Sequence, residues 1–219
     1  MRINLSRLHY PVTALGPGTR AGLWVQGCTI GCAGCVSRDT WAHDGGTAVD
    51  VDDVLAWLGD IARDHGAPDG LTITGGEPTE QPEALAELLR GVDRLRRRGE
   101  FTGDVLCYTG RDEADFHAVC HDLSGLVDAV ITGPFRVTEP TDLLWRGSAN
   151  QRLVPLTERG WHRYGTYLDT VATRPPLQVT VSDGRVWMIG IPRRGDLRRL
   201  ETALAGSGVR LEEVSWRPR

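Results

Sequence analysis

Residues Trp24 to Trp41 read WVQGCTIGCAGCVSRDTW, and three of the chain's five cysteines, Cys28, Cys32 and Cys35, fall within eight of those positions. Three soft thiols so close together imply one shared object: a disulfide, a zinc ion or an iron–sulfur cluster. The backbone between them must wrap around that object, so residues 28–35 form a loop and regular structure is built on either side. Gly27, Gly31 and Gly34 suit such a loop. The odd cysteine count, and the lack of a signal-like apolar run in MRINLSRLHYPV, predict a reducing, cytoplasmic setting. There a dense cysteine cluster holds a metal or does chemistry more readily than it forms disulfides.

Spacing alone leaves zinc and iron both open. Structural zinc sites usually pair cysteines as C-x2-C and collect a second pair at a distance, whereas Cys107 and Cys120 lie in separate predicted elements. His43 is the residue that would complete a Cys3His zinc site. On a four-iron cluster, three thiolates leave one iron without a protein ligand. An open iron can take a substrate or cofactor, while a cluster with four cysteines is normally limited to electron transfer. Three cysteines therefore point to chemistry at the cluster.

After the cysteines, apolar runs alternate with helical patterns, the signature of successive βα units with parallel strands. GLWVQG is a predicted buried strand. VDVDDVLAWLGDIARDH places Val51, Val54, Leu55, Leu58 and Ile61 at helical spacing. GLTITGG is a second strand, QPEALAELLRGVDRLRRRG a helix between a proline and a glycine, and DVLCYTG, RDEADFHAVCHDL and DAVITGPF continue the rhythm. Past about Asn150 the pattern changes. LQVTVSDGRVWMIGI predicts two strands around an Asp183-Gly184 turn, followed by the helix DLRRLETALAGSG and a last strand VRLEEVSW. A chain of 219 residues with 40% hydrophobic residues is long enough for one core. Its formal charge of −4 argues against a nucleic-acid or acidic-membrane footprint, and no stretch approaches the roughly 20 apolar residues that span a bilayer.

A second signal is LTITGGEPT, Leu71 to Thr79, where an apolar strand runs into Gly75, Gly76, Glu77 and Pro78. Backbone plus a carboxylate at a strand end can hold the ammonium of an amino acid. Together, C-x3-C-x2-C after one strand and GGEP at the end of the next resemble the radical S-adenosylmethionine (SAM) superfamily. That resemblance implies a [4Fe-4S] cluster on Cys28, Cys32 and Cys35, with SAM on the open iron through its amino and carboxylate groups. Gly75 to Pro78 would contact the methionine amino group. One electron from the cluster would cleave the sulfonium to methionine and a 5′-deoxyadenosyl radical, which abstracts a hydrogen atom.

A narrower resemblance lies around the cysteines. GPGTRAGLWVQGC followed by CAGCVSRDTW is similar to the glycyl-radical activating enzymes, most of all the group that activates anaerobic ribonucleotide reductase, with Gly16, Pro17, Gly18 and Arg20 matching the loop that leads into that group's strand. DAVITGPF and RGSANQRLV also resemble segments of this group near the sulfonium cofactor and the substrate mouth. The implied cofactor-binding residues are Gly34, Val36, Gly75, Gly76, Glu77, Pro78, Thr109, Thr132 and Asn150, with Arg152 and Tyr108 beside them. The chain departs from the group's pattern at Val36 and Ser37, where an aromatic residue and asparagine are common, and at Thr132, where aspartate is frequent.

The resemblance implies an α/β fold, a partial open (β/α) barrel spanning residues 1–154; residues 155–219, whose β-hairpin and helix are read from the pattern itself, form a C-terminal appendage that extends beyond the minimal activating protein. It also implies a protein substrate carrying a glycyl-radical loop, and an external one-electron donor such as flavodoxin or ferredoxin. Two rivals stay open: radical modification of a small molecule or peptide natural product, and a structural zinc or iron–sulfur module. His117, Cys120 and His121 share one helical face, but an ordinary half-buried face explains them, as a solvated helix end explains Arg94, Arg96, Arg97 and Arg98. The seven tryptophans read as core and interface residues.

Overall fold

The computed structural model describes residues 1–120, 123, 125–182, 184–212 and 214. Its centre is a seven-stranded sheet. Strand β1 (Arg2–Val12) pairs antiparallel with β2 (Arg20–Val25) and with β3 (Thr47–Asp50). Helix α1 (Val51–His65) then leads to β4 (Gly70–Gly75), α2 (Pro82–Arg97) to β5 (Asp104–Tyr108), and α3 (Glu113–Val119) towards β6 (Ala129–Thr132). A last strand, β7 (Arg152–Pro155), returns antiparallel beside β6. The spatial order is β3-β1-β2-β4-β5-β6-β7, with β2, β4, β5 and β6 mutually parallel. The sheet is therefore parallel at its centre and antiparallel at both flanks.

The helices form where the apolar period is 3.6. Val51, Val54, Leu58 and Ile61 of α1, and Leu85, Leu88, Leu89, Val92 and Leu95 of α2, are buried against Leu23, Val25, Leu71, Ile73, Val105 and Val130 of the sheet. A methyl on Gly91 would stand 2.3 Å from Leu55 Cδ1, so the glycine leaves room for the Leu55 side chain of α1 against α2. The opposite face carries Leu106, Ala129 and Ile131 against Trp145 and against Tyr164 of α4 (Glu158–Tyr164), and Trp24 against Ile189. Ile189 belongs to a separate hairpin of β8 (Leu177–Ser182) and β9 (Arg185–Gly190), followed by α5 (Asp196–Gly206).

The predicted strands GLWVQG, GLTITGG, DVLCYTG and DAVITGPF, both long helices and the hairpin are all present. The strands β1 and β3 were not predicted. The last strand predicted over VRLEEVSW is absent from its described part, Val209–Glu212 and Val214, and the remainder lies outside the described residues, as do Asp183 and His121. Among the described residues no helix is long and apolar enough to cross a membrane.

At the N-terminal ends of the parallel strands Arg20 is fully buried. Its guanidinium donates to Asp104 at 2.7 and 3.0 Å, to the Thr72 hydroxyl at 2.7 Å and to the Leu71 carbonyl at 3.0 Å. Tyr164 adds a donor to the same carboxylate. Burial by itself would raise the Asp104 carboxyl, but Arg20, helped by Tyr164 and Arg163, outweighs it and holds the group below its usual range. The stretch GPGTR thus fastens the bottom of the sheet, at the end opposite the cysteines. Replacing Asp104 by Asn leaves the Arg20 charge buried and should destabilise the fold by about 3–5 kcal/mol in urea unfolding at neutral pH. Because the folded carboxyl titrates below the unfolded one, the wild-type advantage is full above about pH 4 and shrinks as pH falls through the folded value.

Candidate cluster and cofactor site

The site lies at the other end, where β2, β4, β5 and β6 finish. Beyond Val25 the chain turns into the cysteine loop, whose base is closed by two backbone bonds: Gly27 N–H donates to the Thr40 carbonyl at 2.8 Å, and Cys28 N–H to the Trp41 carbonyl at 3.1 Å. Gln26 Nε2 adds bonds to the carbonyls of Asp39 at 3.1 Å and Ala42 at 2.7 Å. From the turn after GGEP, Gln81 Nε2 donates to the Gln26 carbonyl at 3.0 Å, and the Glu80 carboxylate accepts from Thr29 N–H at 2.9 Å. Gln26, Glu80 and Gln81 are supports that the motifs do not reveal; the signal for the last two is their place three and four residues after Glu77.

Cys28, Cys32 and Cys35 are free thiols, each partly exposed on this one loop. Burial pushes the Cys28 and Cys35 thiols up, while the backbone N–H groups of Gly31 and Ile30 at Cys28, and of Ser37 at Cys35, pull the other way. At Cys28 and Cys35 burial thus favours the thiol over the thiolate, and a bound metal must displace those protons. Among the described residues no three of His, Cys, Asp and Glu converge closely enough to hold a single ion. His43, the fourth ligand of the zinc alternative, instead bonds Glu80 through Nε2 at 3.0 Å. Three separate thiols around an open loop suit an object wider than one ion, and this donor set fits a [4Fe-4S] cluster.

The GGEP segment is the buttress of that loop. Gly75 has φ +103°, and a methyl on Gly76 would sit 2.2 Å from the Gly27 carbonyl oxygen, so the end of β4 passes directly beneath the loop. Gly76 N–H donates to the Val25 carbonyl at 2.9 Å and Glu77 N–H to the Gly27 carbonyl at 2.8 Å. The buried Glu77 carboxylate accepts four hydrogen bonds, from the Thr79 N–H (3.0 Å) and hydroxyl (2.7 Å), the Thr109 hydroxyl (2.8 Å) and the Gly110 N–H (2.8 Å). It thereby ties the ends of β4 and β5 together, and Pro78 starts a short 3-10 turn over Pro78–Glu80. Arg111, also unremarked in the sequence, donates from Nε to Thr79 at 2.7 Å.

The other predicted residues fall around this centre. Thr132 is buried at the end of β6, in register with the exposed Arg152 on β7. Asn150 donates to the Pro134 carbonyl at 2.8 Å and accepts from the Ser148 hydroxyl at 2.7 Å, shaping the segment after β6. That segment reaches the cysteines: a methyl on Gly34 would meet Val137 at 3.2 Å and Phe135 at 3.4 Å. Val36 is half-buried beside Cys35. Tyr108 turns its hydroxyl into the covered side of the sheet, buried and without a hydrogen-bond partner among the described residues. Two surface hollows lie away from the cysteines, one against α5 at Glu201 and Leu211, the other at the N-terminal strand ends at Asp69 and Arg163.

Residues 14–154 match the family described as a 4Fe-4S single cluster domain. The anaerobic ribonucleoside-triphosphate reductase-activating protein of Enterobacteria phage T4 is 31% identical over 159 residues, which cover 73% of this chain and 98% of its own. The protein of the same name from Pasteurella multocida is 33% identical over 154 residues, 68% of this chain and 96% of its own. The crystal structure of QueE from Escherichia coli overlaps 50% of this chain and 53% of its own at 22% identity, with a TM-score of 0.38.

If Gly76 is what lets β4 pass under the loop, Gly76→Ala should weaken iron retention about 10-fold after anaerobic reconstitution. Gly59→Ala, where an added methyl meets nothing within 4 Å, should leave it unchanged. Iron content against chelator concentration measures both.

Proposed function

The chain belongs to the 4Fe-4S single cluster domain family as a radical SAM enzyme of the glycyl-radical activating type, and from that membership we propose that it abstracts a hydrogen atom from a glycine of a partner protein. The observation that carries this reading is the junction of three free thiols with the Gly75–Gly76 backbone at neighbouring strand ends. Cys28, Cys32 and Cys35 would hold the cluster. The carbonyls of Gly75 and Gly76 would accept from the methionine ammonium group, while the Glu77 carboxylate keeps that backbone in place through its bonds to Thr109 and Gly110. Gly34, Val36, Pro78, Thr109, Thr132 and Asn150 would line the rest of the SAM pocket, with Arg152 towards its rim and Tyr108, its hydroxyl buried, behind Thr109.

Bound there, the reduced cluster and SAM would together supply a 5′-deoxyadenosyl radical. What this chain's residues contribute is position and exclusion of water. We read β2, β4, β5 and β6 as one wall of a partial, open barrel, residues 1–154 as its core and 155–219 as an appendage. A peptide loop of the partner would enter from the open side. The partner in this reading is an anaerobic ribonucleoside-triphosphate reductase, and an external one-electron carrier such as flavodoxin or ferredoxin reduces the cluster in the cytoplasm.

The test mixes anaerobically reconstituted protein, SAM and a strong reductant with such a reductase carrying deuterated glycine. The expected result is a glycyl-radical signal on the reductase and deuterium in the 5′-deoxyadenosine. Unlabelled 5′-deoxyadenosine with no radical on the reductase would point to a different hydrogen donor.

A further inference from the structure

Arg7 joins three segments that are far apart in the chain. It stands on β1, and its guanidinium carbon lies 4.3 Å from the ring centroid of Trp187 on β9 and 5.8 Å from that of Trp24 on β2. Its Nη2 pairs with the carboxylate of Asp39. Asp39 sits in the 3-10 turn Arg38–Thr40, four residues beyond Cys35. That turn closes the cysteine loop, through the Thr40 carbonyl that Gly27 N–H bonds and the Asp39 carbonyl that Gln26 bonds.

The hairpin that brings Trp187 is itself fastened to the sheet. Ile189 is buried with Val12, Ala14, Leu15 and Trp24. Gln178 accepts from Thr13 N–H at 3.0 Å and donates to the Pro11 carbonyl at 2.7 Å. Both Arg7 and Trp187 lie outside the residues that match the family model, whereas Asp39 lies within them.

We propose that Arg7 is a positioning residue for the cluster loop, aimed at Asp39 by the C-terminal hairpin through Trp187. An arginine–aspartate pair near the surface does little by itself, because both side chains lose freedom and water competes for the charges. A guanidinium already placed against aromatic rings has less freedom to lose and a favourable contact with the ring faces. Seating of the hairpin on β1 thus becomes a constraint on where the loop closes, and so on how Cys28, Cys32 and Cys35 are held before any metal arrives. This rests on those cysteines being the cluster ligands, and it gives the appendage a function: it completes the support of the loop from the covered side of the sheet.

The test compares Arg7→Met, Arg7→Lys, Asp39→Asn, Trp187→Leu and the Arg7→Met/Asp39→Asn double variant in the full chain. Two rates are measured: alkylation of the thiols in the metal-free protein, and chelator-driven iron loss from the reconstituted protein. Arg7→Met and Asp39→Asn should each speed both rates about 10-fold, and the double variant no further than either alone, because the two residues act through one contact. Arg7→Lys should recover part of the effect, and Trp187→Leu should speed both rates less than Arg7→Met. The buried Cys107 and Cys120 report on folding, and should stay unreactive in every variant. Wild-type rates in both single variants, or factors that multiply in the double, would overturn the tie. An unchanged rate in Trp187→Leu would overturn the hairpin's part in it. Failure of the wild-type chain to retain iron would instead sink the cluster assignment, while the metal-free thiol rates still decide on Arg7.

Discussion

The close passage of the β4 end beneath the cysteine loop is the contact on which the site depends. Backbone can lie this near to backbone only because Gly76 has no side chain, and Gly75 takes the positive φ that turns the strand into place. Two hydrogen bonds from residues 76 and 77 then weld the β2 and β4 ends together. The Glu77 carboxylate extends the same frame to β5, and Glu80 and Gln81 extend it to the loop itself. A cluster held by three half-exposed thiols has little rigidity of its own. Its position is set by this frame.

Much of the architecture was legible because it follows from periodicity. The helical spacing of Val51, Val54, Leu58 and Ile61, and of the α2 leucines, is set by which face meets the sheet. The parallel strands read as short apolar runs because both of their faces are covered. Strand β1 escaped notice because its register shifts between Leu5 and Arg7 and again between His9 and Val12. Those irregularities break the alternation that marks a strand. The strand expected after α5 is read from propensity alone, and its described residues, 209–212 and 214, do not form one.

At the site, spacing in the chain revealed the ligands but not their supports. Three cysteines within eight residues announce a shared metal object. That Glu77 bonds Thr109 and Gly110 depends on how β4 lies beside β5, which GGEP alone does not encode. The same holds for Arg7 and Asp39, 32 residues apart, and still more for Trp187. Contacts made across a sheet become visible only when strand order and register are known. The buried Arg20 shows the converse: its stretch matches a motif of an iron–sulfur group, yet its work is done at the far end of the strands.

The central claim is that a loop held in this way carries an iron–sulfur cluster that turns over SAM. The most direct measurement is 5′-deoxyadenosine formed by the anaerobically reconstituted chain with SAM and a strong reductant, beside Cys28→Ala, Cys32→Ala and Cys35→Ala controls. The account predicts product that depends on all three cysteines, with iron and sulfide bound in near-equal amounts. About one zinc per chain, with neither iron nor sulfide in protein purified without oxygen, would contradict it.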